Sequence, residues 1–225
     1  MKKCKKSLLL FVLIAASALS GYVHAQKINE GKVVFEISYP DADIPDEQMA
    51  MMPTESIMFF KNNQSRVEMK MGMGMNQVMI FDNKNKIMTM LMDMMGSKTA
   101  VKFDEQDIKK QKEKEGGGDY EIKKTDETKE IAGYKCKKAV VTGKDGSFDL
   151  YYTEDIAYKN GDWISEYKGL EGFPLQYKIS KNNVTMELTA KNVSGEKVDE
   201  TIFSIPSEYK LMTLEDLQKM YGGGK

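Results

Sequence analysis

The chain has little of several residue types on which enzyme sites depend. Among 225 residues it has one histidine, two cysteines and one tryptophan. The histidine, His24, lies in a segment that we expect to be removed, which leaves no imidazole for general base catalysis or for zinc. This absence excludes Ser-His-Asp, Cys-His and His-based metal sites. We therefore predict a protein that is not an enzyme and needs no cofactor.

Arginine is almost absent as well. Arg66 is the sole arginine, whereas proteins that grip phosphates usually carry several. Without the four lysines of the first six residues, 29 basic residues remain against 34 acidic ones. The composition therefore argues against nucleic acid as a partner.

No apolar run is long enough to cross a membrane. The longest, Leu8–Leu19, follows four lysines and precedes Val23–Ala25, the pattern of a cleavable signal peptide. We predict residues 1–25 as the signal, with cleavage between Ala25 and Gln26, and a periplasmic or secreted mature protein that does not span the membrane. Residues 26–221 are predicted to form one domain, and residues 222–225 a disordered tail.

After cleavage Cys136 is the sole cysteine, so no internal disulfide can form. Free cysteine is among the most buried residue types, which favours a small apolar side chain on a buried strand. An intermolecular disulfide or a reactive thiol is the alternative.

Methionine is what the sequence has in excess. Of its 18 methionines, 14 lie between Met49 and Met95. Residues two apart share one face of a β-strand, so alternating methionines predict rows of thioethers on one side of a sheet. Two runs alternate strictly: Met69, Met71, Met73 and Met75, and then Met88, Met90, Met92 and Met94.

Each run has one feature that weakens its assignment. Gly72 and Gly74 interrupt the first, and interior glycines often mark a bulge or a mobile lip. The second also fits an amphipathic helix over Ile87–Met95. We favour a strand there, because the neighbouring runs are short and joined by hairpin-type turns.

The remaining pattern predicts a mainly β protein of about 11 strands with three or four short helices. A short helix is expected over residues 45–52, one turn within 161–170 and a terminal helix beginning at Thr213. Residues 104–118 are expected to form a solvated charged helix that frays into a glycine linker, with a partner-docking or lid segment as the alternative. The predicted strands are Gly31–Tyr39, Ser56–Phe60, Ser65–Met71, Gln77–Phe81, Ile87–Met94, Tyr120–Lys124, Lys129–Ile131, Tyr134–Val141, Ser147–Tyr152, Leu175–Ser180, Val184–Asn192 and Phe203–Tyr209.

Three phrases carry a family resemblance: IAGYKCKKA at Ile131–Ala139, GLEGFPL at Gly169–Leu175 and FSIPSEYK at Phe203–Lys210. They resemble exported bacterial proteins of the uncharacterised GLPGLI type, in the LolA/LolB/RseB-like superfamily. The resemblance implies a LolA-like fold, a curved antiparallel half-barrel whose concave apolar face is covered by short helices. Relatives use that cavity for lipoprotein acyl chains, for other lipids or for sensing envelope proteins. It supplies no catalytic residue.

Three interpretations of the methionines stay open: packing of a filled core, an apolar ligand cavity, or a soft-metal site. The leading functional hypothesis is a binder or carrier of lipid, lipoprotein or another hydrophobic ligand, because flexible thioethers adapt to irregular apolar shapes. A Cu(I) or Ag(I) site at Met69, Met71, Met73 and Met75 is one alternative. An envelope sensor or assembly factor with a protein partner is another. The candidate cavity residues are Met69, Met71, Met73, Met75, Met79, Met88, Met90, Met92 and Met94.

Overall fold

A computed structural model of the chain describes residues 27–40, 44–114, 120–143, 146–159, 161–181 and 184–221. The predicted signal peptide, its cleavage site between Ala25 and Gln26, and the predicted tail lie outside these ranges. Twelve strands form one sheet, and in the described ranges three α-helices accompany it. The strands are β1 (Glu30–Ser38), β2 (Glu55–Lys61), β3 (Gln64–Lys70), β4 (Asn76–Asp82), β5 (Ile87–Met94), β6 (Ser97–Phe103), β7 (Glu121–Ile131), β8 (Tyr134–Gly143), β9 (Gly146–Thr153), β10 (Phe173–Lys181), β11 (Val184–Ser194) and β12 (Lys210–Met212).

The sheet is open, with β12 at one edge and β7 at the other. Its order is β12-β6-β5-β4-β3-β2-β1-β11-β10-β9-β8-β7, and every neighbouring pair is antiparallel except β12 with β6. Most neighbours are also consecutive in the chain because short turns join them, as expected for a meander. The predicted mainly β fold is therefore confirmed, and twelve strands agree with the predicted total of about 11.

The helices are short. They are α1 (Asp46–Met49), α2 (Glu105–Lys114) and α3 (Leu214–Tyr221). Thr213 caps α3 as predicted: its Oγ1 accepts the Asp216 amide at 3.0 Å, and the Asp216 carboxylate accepts the Thr213 amide at 3.3 Å. The charged helix ends at Lys114, and residues 115–118 of its predicted span lie outside the described ranges.

Both faces of the sheet bury apolar side chains. The largest cluster contains Phe35, Phe60, Leu175 and Cys136, each at most 1% exposed. On β4 to β6 the opposite face forms a second cluster around Leu91. Residues 198–209 cover that second cluster, with Phe203 buried in it. Strands buried on both sides explain why the alternation of apolar and polar residues is incomplete in this sequence.

Three strand predictions need correction. Residues Phe203–Tyr209 do not pair as a strand: a 3₁₀ turn (Glu200–Phe203) leads into a loop. Pro206 lacks the amide that a central ladder needs, and the apolar side chains bury against a sheet face instead. The two strands predicted over 120–131 are one strand, β7, with an irregular register between Lys124 and Thr128. Strand β6 was not predicted, although Ala100 and Val101 are fully buried in it.

Candidate functional site

Methionines from neighbouring strands lie side by side on one face of the sheet, here called the methionine face. Met79 on β4 is directly opposite Met90 on β5. Gln77 is opposite both Met69 and Met92. Directly opposed residues of an antiparallel pair share a face. The methionine face on the ladders therefore comprises Met58, Met69, Met79, Met88, Met90, Met92 and Met94.

The first methionine run does not continue as one strand. Strand β3 ends at Lys70, and a 3₁₀ turn (Gly72–Gly74) forms a hairpin loop to β4. Met73, at the tip, adopts a left-handed backbone with φ 59° and is 72% exposed. The expectation of four thioethers in a single row is therefore wrong for Met73. The glycines permit the tight turn that removes it from the methionine face.

The second run is a strand, as favoured over the helix. Residues Ile87–Met94 pair with β4 on one side and β6 on the other. On this strand Leu91 is 1% exposed on the opposite face, whereas Met88, Met90 and Met92 are half-buried on the methionine face. The helical pattern arises because apolar residues occupy both faces of the strand.

The methionine face of β5 and β6 is covered rather than open. Met88, Met90 and Met92 pack against a cluster formed by Val101, Phe103 and residues of three covering segments. Those segments supply Ile108 of α2, Trp163 and Ile164 of the 161–165 turn, and Met212, Leu214 and Leu217 near the C-terminus. In this structure the thioethers therefore contribute to a packed core beneath a thin cover.

One end of the sheet gathers the exposed methionines. The β1–β2 connection, the β3–β4 hairpin and the β5–β6 hairpin all lie at this end, because the strands are antiparallel and consecutive. Four of its side chains remain solvent-accessible: Met51 at 37%, Met73 at 72%, Met94 at 39% and Met95 at 84%. We call this group, with Met71 and Met75, the methionine end.

Cys136 is a buried residue of β8, as predicted. It is fully inaccessible to solvent, and its thiol donates a weak hydrogen bond to the Tyr134 carbonyl at 3.5 Å. Burial raises the pKa of the thiol from 9.0 to about 11. A protonated, inaccessible sulfur is poorly suited to nucleophilic chemistry or metal binding.

A groove of about 370 Å³ lies on the face opposite the methionines. Phe59, Arg66 and Glu68 line it together with the loop around Pro206. Arg66 donates from Nε to the Glu68 carboxylate at 2.6 Å and from Nη1 to the Ile202 carbonyl at 2.9 Å. The sole arginine therefore anchors the covering 198–209 segment, a role that its position in the sequence did not indicate.

Among the described residues, no group of three histidine, cysteine, aspartate or glutamate side chains is arranged to hold a metal ion. In the same ranges no helix has the length and apolar character needed to span a bilayer.

The family model for a domain of unknown function, DUF4412, matches residues 46–209 of the sequence. The chain belongs to this family. The match agrees with the expectation of a domain of unknown function, while the GLPGLI-type and LolA/LolB/RseB-like placement stays a prediction. No curated protein matches the chain.

Solved structures of a larger protein share the fold of this DUF4412 member. PNGF-II in space group P21 is 18% identical, with a TM-score of 0.53 over 87% of this chain and 34% of that chain. PNGF-II in space group C2 is 17% identical, with a TM-score of 0.52 over 86% and 33%. The chain spans about a third of the length of those structures, and the likeness concerns the fold alone.

Proposed function

We propose that this protein is a non-enzymatic periplasmic binder or carrier of a hydrophobic ligand, such as a lipid or a lipoprotein acyl chain. In this proposal the sheet acts as a curved, LolA-like half-barrel, and the ligand lies against the methionine face. The observation that carries the proposal is the thin helical cover over that face. Ligand enters when the cover moves aside.

The two helices of the cover contribute few apolar contacts. Ile108 is the sole buried residue that α2 provides, and Leu214 and Leu217 of α3 are half-buried. Burying an aliphatic side chain stabilises by about 1.5–3 kcal/mol, so these three contribute at most about 5–9 kcal/mol. Displacing these two helices, while the 161–165 turn and Met212 stay in place, is therefore a feasible step for a ligand that buries more.

An acyl chain offers a comparable amount of burial. Each buried methylene contributes about 0.8 kcal/mol, so twelve methylenes contribute about 10 kcal/mol. The two quantities are close enough for ligand and cover to compete reversibly for one apolar surface. The half-buried thioethers of Met88, Met90 and Met92 suit such exchange because methionine adapts to different shapes.

The test weakens the cover without altering the methionine face. Leu217→Ser removes one apolar contact of α3, and Lys219→Ser changes an exposed position of the same helix. A fluorescent fatty acid is titrated into each protein. We expect Leu217→Ser to bind about tenfold more tightly than the wild type, because the competing cover loses about 1.4 kcal/mol. Lys219→Ser should bind as the wild type does.

Two results would contradict the proposal. One is the absence of fatty-acid uptake by both the wild type and Leu217→Ser. The other is weaker binding by Leu217→Ser while its circular dichroism spectrum stays that of the wild type. Mass spectrometry of gently purified protein provides a second measurement, in which we expect co-purified lipid.

A further inference from the structure

Three methionines come to lie side by side at the methionine end, on three neighbouring chain segments. The β3–β4 ladder reaches Lys70 and Asn76. One residue further, the Met71 amide donates to the Met75 carbonyl at 2.9 Å and continues the pairing. The β4–β5 ladder reaches Asn76 and Asp93, and the same register one residue further places Met75 beside Met94.

These three side chains share the methionine face. Opposed residues of antiparallel strands have Cβ atoms about 4.5–5.5 Å apart, and methionine has three rotatable bonds beyond its Cα. The sulfur atoms of Met71, Met75 and Met94 can therefore converge on one point. Met71 and Met75 are half-buried and Met94 is 39% exposed, so an ion can reach them from solvent.

We propose that Met71, Met75 and Met94 form a binding site for a soft monovalent cation, Cu(I) or Ag(I), held by three thioethers. Thioether sulfur is a neutral, soft ligand and selects Cu(I) over harder ions. This site is independent of the hydrophobic-ligand proposal, because it uses the rim of the sheet and not the covered surface.

On the methionine face the ladder positions next to the three sulfurs are uncharged, and the charged residue that shares this face is Lys210 on β12, opposite Thr99 and two strands from Met94. Ser97 is opposite Met94, and Gln77 and Met92 form the next pair inward. The nearby charged residues Lys70, Asp93 and Lys98 occupy the alternate strand positions, which point to the opposite face. The ammonium groups of Lys70 and Lys98 therefore do not lie on the face where the three sulfurs would hold a cation.

The hairpin is held in place by the β1–β2 connection. The Gly72 amide donates to the Met51 carbonyl at 3.1 Å, and a Cβ at residue 72 would collide with the Ala50 carbonyl oxygen. Support of this kind reduces the ordering cost that a flexible loop would incur on binding a metal. The ligand set differs from the one predicted from sequence, because Met73 is at the exposed tip and Met69 packs on the main core.

The decisive experiment titrates Cu(I) against a chromophoric chelator, under anaerobic and reducing conditions, using the chain from Gln26 onward. The variant carries Met71→Leu, Met75→Leu and Met94→Leu. The matched control carries Met51→Leu, Met73→Leu and Met95→Leu, three exposed methionines of the same end. We expect one equivalent bound by the wild type, an affinity loss of about 30-fold or more in the variant, and a change of less than about threefold in the control.

Leucine is apolar and similar in volume, so each triple variant should fold, which circular dichroism checks. Should the variant fail to fold, Met75→Leu alone removes the central ligand, and we expect a loss of about tenfold. An affinity within about threefold of the wild type, for either the triple variant or this single variant, would overturn the proposal. So would an equal loss in the control, which indicates unspecific thioether binding.

The pH dependence gives an independent readout. Thioethers do not take up protons in water, so the Cu(I) affinity should change by less than about threefold between about pH 5.5 and 8. A rise of about tenfold across that range would reveal carboxylate or thiolate ligands and overturn the site. X-ray absorption of the Cu(I) complex should show three sulfur neighbours, and oxygen or nitrogen neighbours in their place would also overturn it.

Discussion

Gly72 lies directly against the backbone of Ala50: a Cβ built at Gly72 would be 2.2 Å from the Ala50 carbonyl oxygen and 2.8 Å from the Met51 Cα. The β3–β4 hairpin and the β1–β2 connection therefore fit together only because residue 72 has no side chain. The Gly72 amide adds a hydrogen bond to the Met51 carbonyl. The methionine end is thus one unit built from two distant stretches of chain.

Gly72→Ala should separate the two stretches. The atoms in the way are backbone atoms, so they cannot move aside as a flexible side chain would, and we expect a loss of about 1–3 kcal/mol in the free energy of unfolding. Urea denaturation measures it. The control is Gly74→Ala, which has a φ of +72° but open space around its Cβ, and should cost about 1 kcal/mol. A smaller loss at Gly72 than at Gly74 would contradict this packing.

The sequence was informative wherever one residue pattern had one structural solution. Alternating residues marked β1, and turn-formers marked the hairpins around it, because strand period and turn chemistry are local properties. It was less informative for β6, where Ala100 and Val101 are buried on opposite faces and no alternation remains. A strand buried on both sides gives no periodic signal.

The arrangement of the methionines was likewise predictable from the sequence only in part. The sequence placed Met90 and Met92 on one face, because both lie within a regular strand. It did not place Met75 beside Met94, since that contact depends on the register of two hairpins rather than on spacing within one run. Nor did it indicate that a 3₁₀ turn would remove Met73 from the row.

Asn83 joins the β4–β5 turn to the segment that carries Trp163. Its Oδ1 accepts hydrogen bonds from the Gly161 amide at 3.0 Å and from the Trp163 indole at 3.1 Å, and its Nδ2 donates to the Tyr158 hydroxyl at 3.1 Å. Asn83→Ala removes these three hydrogen bonds, so we expect a loss of about 2–3 kcal/mol in stability. Because Trp163 is the sole tryptophan, its emission should also shift to longer wavelength.

The control for Asn83 is Asn85→Ala, in the same turn. The Asn85 side chain is exposed and donates to the Asp82 carboxylate at 2.7 Å. We expect a cost of about 0.5–1 kcal/mol and an unchanged emission maximum. Equal spectra for the two variants would show that Asn83 does not hold the tryptophan segment.

Glu30 links β1 to residues 198–209, the segment that covers the second cluster around Leu91. Its carboxylate accepts the Val198 amide at 3.2 Å and pairs with the Lys61 ammonium at 3.2 Å, and these contacts lower the pKa of Glu30 from 4.5. A lowered pKa means that the folded state favours the ionised form. The stabilisation is therefore present above about pH 4.5 and is lost as pH falls through the lower folded-state pKa.

Glu30→Gln should lower the urea midpoint at neutral pH and reduce its further decline on acidification below pH 4.5. Glu36→Gln is the control, because Glu36 forms an exposed ion pair with Lys191 on the sheet surface. Exposed pairs contribute little, so its pH profile should parallel that of the wild type. A Glu30→Gln profile parallel to the wild type would contradict the role of Glu30.

The reactivity of Cys136 tests the burial of the main core. The thiolate is the reactive form, and raising the thiol pKa from 9.0 to about 11 lowers its population about 100-fold at pH 8. Because Cys136 is also inaccessible, an aromatic disulfide reagent should react with the native chain from Gln26 onward, which lacks Cys4, at least about 100-fold more slowly than with the same chain unfolded in urea, which serves as the control. Rapid stoichiometric labelling of native protein, or a disulfide-linked dimer on non-reducing electrophoresis, would show that β8 opens and exposes the thiol.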